Sequence, residues 1–173
     1  MITVNGGSIA YNHAGLDGGG IYSAGSNAKV YIQEGGTEES YVDHNTADRN
    51  GGGVFASLGE VHFSNGNVQY NFAENAGGGM YVDKSESGYG ELFLTGNARL
   101  DRNHVPSGKK GGGVYLLGKV TVGAPGEQSS VTAENNYAYD TFPARTDKER
   151  VQQVLTNFVT NAVKYTQEGH IKV

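Results

Sequence analysis

The sequence predicts an all-β fold, a parallel β-helix of about four to five coils, on the strength of three observations. A triple glycine followed by two apolar or aromatic residues recurs along the chain. An asparagine element precedes each copy, and a short strand of alternating apolar residues follows it. The right hand of the helix is expected by analogy with most folds of this kind.

The glycine copies are Gly18-Gly19-Gly20-Ile21-Tyr22, Gly51-Gly52-Gly53-Val54-Phe55, Gly77-Gly78-Gly79-Met80-Tyr81 and Gly111-Gly112-Gly113-Val114-Tyr115, spaced 33, 26 and 34 residues from start to start. A period in that range marks a solenoid, because each unit buries its apolar face only against its neighbours. Corners between stacked strands need positive φ or close backbone approach, which glycine supplies at low cost. The aromatic followers Tyr22, Phe55, Tyr81 and Tyr115 are expected to form one column.

Upstream lie Asn12-His13-Ala14, Asn45-Thr46-Ala47 and Asn71-Phe72-Ala73, with Asn103-His104-Val105 as a variant and Asn136-Tyr137-Ala138 as a fifth copy. Three residues before the first four asparagines stand Ile9, Val42, Val68 and Leu100. The asparagines are expected to stack at a bend, their amides bonding from coil to coil and to backbone.

Downstream come Val30-Tyr31-Ile32, Val61-His62-Phe63, Leu92-Phe93-Leu94 and Val120-Thr121-Val122, whose outer residues are apolar as a half-buried strand requires. Each unit thus reads as three short strands stacked on their counterparts roughly 4.8 Å away. A propeller blade would need about 40 to 50 residues, and leucine-rich repeats would show dense leucines. Ile2-Thr3-Val4 matches the second strand of a unit, so the chain is expected to open in mid-coil. After Ala138 a triple glycine is due, yet Tyr139-Asp140-Thr141-Phe142-Pro143 follows, so the repeat is expected to break inside a unit. Uncapped ends of this sort predict end-to-end self-association.

Composition supports strands and tight turns: 28 glycines, 11 tyrosines, 3 prolines, no cysteine and no tryptophan. A net charge of −5 without a basic block argues against nucleic acid as a partner. No apolar run approaches the roughly 20 residues of a membrane span, and the N-terminus lacks the pattern of a secretory signal.

Asp17, Glu38, Glu39, Asp43 and Asp48 raise a carbohydrate lyase or hydrolase as a weaker alternative, but they show no repeat-to-repeat carboxylate column and read as solvated surface. No Gly-Lys-Ser/Thr follows the glycines, and no calcium-binding nonapeptide is present, so neither a catalytic residue nor a metal site is assigned.

As a set, the repeats of residues 1–140 resemble the glycine-rich β-helix repeats of bacterial surface proteins of the adhesin-like, polymorphic outer-membrane type. The resemblance implies a secreted or cell-surface structural or binding segment. Its partner would be an unknown surface ligand, a glycan or a protein.

After a junction at residues 141–146 the pattern changes. Thr146-Asp147-Lys148-Glu149 has the form of a capping box, and Val151, Val154, Leu155, Phe158, Ala162 and Tyr165 recur at helical spacing. An amphipathic α-helix ending at Gly169 and a short strand at Ile171-Lys172-Val173 are expected, acting as a cap on the solenoid. The run Asn157-Phe158-Val159-Thr160-Asn161-Ala162-Val163-Lys164-Tyr165 resembles the N-box of the ATPase domain of sensor histidine kinases, a cytoplasmic domain.

That resemblance, which covers residues 147–173, implies Mg²⁺ ligation at Asn161, lining of the same site by Asn157, and nucleotide contacts from Lys164 and Tyr165. ATP and Mg²⁺ would be cofactors of the complete domain. The glycine-rich boxes that hold adenine and a phosphoacceptor helix are absent from this sequence, so no kinase activity and no cofactor are expected here. The alternative reading is a truncated or misjoined sensor kinase.

Overall fold

The computed structural model describes residues 1–83, 90–123 and 129–138. Its elements wind as successive coils. The first holds β1 (Ile2–Asn5), β2 (Gly7–Ala10) and β3 (His13–Ala14), and the second β4 (Ile21–Ala24), β5 (Lys29–Gln33), β6 (Ser40–Asp43) and β7 (Thr46–Ala47). The third holds β8 (Val54–Ser57), β9 (Glu60–Gln69) and β10 (Phe72–Ala73), and the fourth β11 (Met80–Asp83), β12 (Gly90–Asp101) and β13 (His104–Val105). The last holds β14 (Val114–Leu116), β15 (Gly118–Val122), β16 (Thr132–Glu134) and β17 (Tyr137–Ala138).

These strands build three parallel sheets: β1-β5-β9-β12-β15 with β2, β6 and β16 alongside, β17-β13-β10-β7-β3, and β14-β11-β8-β4. The all-β parallel solenoid expected from the repeats is therefore the fold, and the strands expected at Val30, Val61, Leu92 and Val120 lie in β5, β9, β12 and β15. β1 pairs with β5 through Ile2 and Val30 and through Val4 and Ile32.

The unit differs from three short strands in one respect. In the second coil residues 34–39 separate β5 from β6, whereas β9 and β12 run unbroken through the same corner. The helix and strand expected after residue 146, with the junction before them, lie outside the described residues.

Period-two alternation explains the core. Val30 and Ile32, Val61 and Phe63, and Leu92 and Leu94 point inward from the first sheet and are fully buried, as are Val42, Val68 and Leu100 past its corner. In the Asn-x-Ala element the residue after x points in, so Ala47, Ala73 and Val105 are buried while Thr46, Phe72 and His104 face outward. The third sheet adds Val54, Ala56, Met80 and Val82.

Candidate functional site

The asparagines form one continuous ladder. Asn12, Asn45, Asn71 and Asn103 each donate through Nδ2 to Oδ1 of the next asparagine, Asn45 through Asn136, at 3.0, 3.1, 2.9 and 2.9 Å. Each of those Oδ1 atoms also accepts the backbone N–H of the asparagine one coil back, at 3.0 Å in all four steps. The second Nδ2 proton goes to the carbonyl of the aliphatic residue one coil earlier: Asn45 to Ile9, Asn71 to Val42, Asn103 to Val68 and Asn136 to Leu100, at 2.8 to 2.9 Å. Both amide protons and both oxygen lone pairs of the inner asparagines are thus used.

The glycines pack against this ladder. In the third coil Gly51 has φ +66°, and a Cβ on Gly53 would lie 2.9 Å from Asn71 Nδ2 and 2.6 Å from the Gly79 carbonyl. A Cβ on Gly52 would strike the Phe72 and Gly78 carbonyls. The triple glycine therefore combines a left-handed corner with two positions where the next coil lies too close for a side chain. The other copies repeat the geometry: Gly18, Gly77 and Gly111 have positive φ, and Gly20, Gly79 and Gly113 face Asn45, Asn103 and Asn136.

Outside, rings stack coil on coil. Tyr22, Phe55, Tyr81 and Tyr115 stand with centroids 5.2 Å apart at each step. Tyr31, His62 and Phe93 form a second stack at 4.7 and 4.4 Å, and Tyr11, His44 and Tyr70 a third at 4.9 and 4.8 Å, which Arg102 extends with its guanidinium 5.4 Å from the Tyr70 ring. Phe72, His104 and Tyr137 make a fourth. Three of the five histidines, His44, His62 and His104, are thus stacking partners. Burial lowers the His104 pKa, outweighing a hydrogen bond to the Arg102 backbone carbonyl.

One surface does not repeat. A cleft of about 280 Å³ opens where the first sheet turns its corner. The second coil contributes Glu34 and Glu39, the third Asn65 and Asn67, the fourth Asn97 and Arg99, and the last Ser130 and Thr132. Its shape follows from loop length. In the third and fourth coils β9 and β12 cross the corner without a loop, while residues 34–39 stand on one side and Ser130 and Thr132 on the other.

The tight corners are made by Gly66 at φ +110° and Gly96 at φ +55°. A Cβ on Gly66 would sit 2.5 Å from the Ser40 carbonyl, so no other residue fits beneath the cleft. Tyr41, Asn67, Arg99 and Thr132 stand in register across the four coils. The walls are tied together: Asn67 Nδ2 donates to Glu39 at 3.0 Å, Tyr41 OH donates to the same carboxylate oxygen at 2.5 Å, and Asn97 N–H donates to Asn65 Oδ1 at 2.9 Å. The bond to Glu39 raises the Tyr41 pKa. Arg99 lies 3.9 Å from Asp101 and is half exposed at the cleft.

The carboxylates noted in the sequence separate into distinct settings. Asp17 is buried and bonded to the Arg49 guanidinium and to Asn50, and although burial raises its pKa, those partners hold it below the ordinary value. Asp43 bonds His44 at 2.8 Å and Ser8 at 2.7 Å, Asp48 lies 3.5 Å from His13, and Glu38 pairs with Gly35 in the loop. Glu39 alone of these lines the cleft. The sequence reading found no carboxylate column, but Asp43, Gln69, Asp101 and Glu134 are in register, so three carboxylates share one face with a glutamine among them. Asp101 there is covered by Arg102 at 2.8 Å and by Asn135 at 2.9 Å.

Asn157, Asn161, Lys164 and Tyr165 lie outside the described residues. Among the described residues no group of His, Asp and Glu is placed to hold a metal ion, and no helix is long and apolar enough to cross a membrane. The chain matches no protein-family model, no curated protein and no solved structure.

Proposed function

We propose that residues 1–140 are a non-catalytic, adhesin-like segment of a β-helical surface protein, a stiff solenoid that presents the cleft to a surface ligand. The observation that carries this reading is the asparagine ladder. It passes through each coil without a break, and the backbone it fixes is the backbone from which the cleft side chains project. A rigid frame lowers the ordering cost of binding at the surface it carries.

Catalysis is not needed to explain the polar groups of the cleft. Glu39 is held by Asn67 and Tyr41 as a hydrogen-bond acceptor, and the cleft around it is lined by amides, hydroxyls, Glu34 and Arg99. An acid–base pair would call for a carboxyl group kept protonated by an apolar site.

The test is to incubate the purified chain with neutral and acidic polysaccharides and assay new reducing ends and unsaturated products. The reading expects none while circular dichroism shows a strand-rich, folded protein. Product release that is lost in Glu39→Gln would overturn it. Saturable binding of ATP with Mg²⁺ that is lost in Asn161→Ala would instead place nucleotide binding in the function, as the N-box resemblance implies.

A further inference from the structure

We propose that the cleft between residues 34–39 and the start of β16 takes a neutral oligosaccharide lying along the solenoid axis. This rests on the binding reading above and names the chemical class of its ligand.

Three features of the cleft select that class. The first is charge. Two carboxylates, Glu34 and Glu39, face one guanidinium, Arg99, in a chain of net charge −5, so a phosphate, sulfate or uronate would meet net repulsion. The second is the absence of an apolar wall among the described residues. The lining is side-chain amides, hydroxyls and charged groups, which excludes a lipid or a hydrophobic peptide and suits a molecule dense in hydroxyls.

The third is planar, fixed polarity. Carboxylate, amide and guanidinium groups each present paired acceptors or donors in one plane, which matches adjacent hydroxyls on a sugar ring. Asn67 and Glu39 are already bonded to each other and Asn97 is anchored through its backbone to Asn65, so the groups are positioned before a ligand arrives.

Shape sets the length and direction. Tyr41, Asn67, Arg99 and Thr132 mark four successive coils, a span of roughly 14 Å at the ~4.8 Å strand spacing. That accommodates a short chain of sugars better than a single ring. Glu39 stands at one end, held in place by the Tyr41 hydroxyl and by Asn67.

The experiment is isothermal titration with neutral tetrasaccharides of glucose, xylose and mannose, against tetragalacturonate and inorganic phosphate as anionic probes. Arg99→Ala and Asn97→Ala are the variants, because both side chains are exposed and their loss leaves the core intact. Saturable binding to at least one neutral tetrasaccharide is expected, weakened about tenfold or more by each variant while the urea midpoint stays unchanged.

No binding by any neutral tetrasaccharide, a preference for the anionic probes, or binding that survives both variants would overturn the proposal. Failure here with no reducing-end release leaves the solenoid a non-catalytic binding segment and removes only the saccharide. Reducing-end release removes the binding reading itself.

Discussion

Replacing Asn71 by alanine tests whether the asparagine ladder holds the solenoid together. The side chain is fully buried and makes four bonds: donations to Asn103 Oδ1 and the Val42 carbonyl, and acceptances from the N–H and Nδ2 of Asn45. Not all four losses leave a group unpaired. Asn103 Oδ1 keeps the Asn71 backbone N–H, and Asn45 Nδ2 keeps the Ile9 carbonyl. The Asn45 backbone N–H loses its side-chain acceptor, and the Val42 carbonyl loses its side-chain donor.

Buried groups deprived of partners cost about 1–3 kcal/mol each, so Asn71→Ala should destabilise by roughly 2–6 kcal/mol. That is a large part of the roughly 5–15 kcal/mol that a domain has in total. Asn12→Ala is the control, because Asn12 is exposed and water replaces what its side chain gives up, for about 1 kcal/mol or less. Urea melts followed by far-ultraviolet circular dichroism should show a much lower midpoint for Asn71→Ala at an unchanged slope. Unfolding free energies for the two variants that lie within about 1 kcal/mol of each other would refute the ladder argument.

Two further substitutions probe the corner and a stacked ring. Gly66→Ala adds a Cβ 2.5 Å from the Ser40 carbonyl at φ +110°, whereas Gly36→Ala meets nothing within 4 Å at φ +71°. The first should therefore cost about 3 kcal/mol or more and the second about 1 kcal/mol in thermal or urea melts, and equal losses would show that the corner relaxes. Because burial lowers the folded-state pKa of His104, the unfolded chain takes up a proton more readily. Stability from this residue is complete above the unfolded value of about 6.5 and falls as pH drops below it. The fall in melting temperature from neutral to mildly acidic pH should be smaller in His104→Phe, which keeps a ring between Phe72 and Tyr137. An identical fall in both proteins would assign the acid sensitivity to other groups.

The parts of the fold that can be read from sequence are those that stacking forces to repeat. Asn45, Asn71 and Asn103 bond their own kind one coil away, so any other side chain breaks two links. Gly52 meets the next coil's backbone, so it too recurs. The left-handed corner just before each asparagine was not legible, because Tyr11, His44, Tyr70, Arg102 and Asn135 share positive φ without sharing a residue type. Glycine is unnecessary there: the following asparagine fixes the turn through its bonds, and the exposed side chains gain ring stacking or a cation–π contact. Gln69 likewise hid the column that joins Asp43 to Asp101. The cleft had a signal that was not used. The 26-residue spacing is the shortest, and Asn65-Gly66-Asn67 and Gly96-Asn97 are turn sequences lying inside strands.

The contrast between repeating and varying columns also bears on the proposed site. A position whose side chain must pair with its counterpart in the next coil cannot vary without a cost in stability, and so has little freedom to acquire a ligand. The register column Tyr41, Asn67, Arg99 and Thr132 has no such obligation, and its members differ in charge, size and hydrogen-bonding capacity. Varied chemistry on evenly spaced supports can match an irregular polar partner, which a ladder of identical groups cannot. The third and fourth coils contribute to this column from strands without a corner loop, so the varied groups are recessed in one cleft. In this solenoid the loop that two coils lack, as much as any residue they possess, makes the cleft.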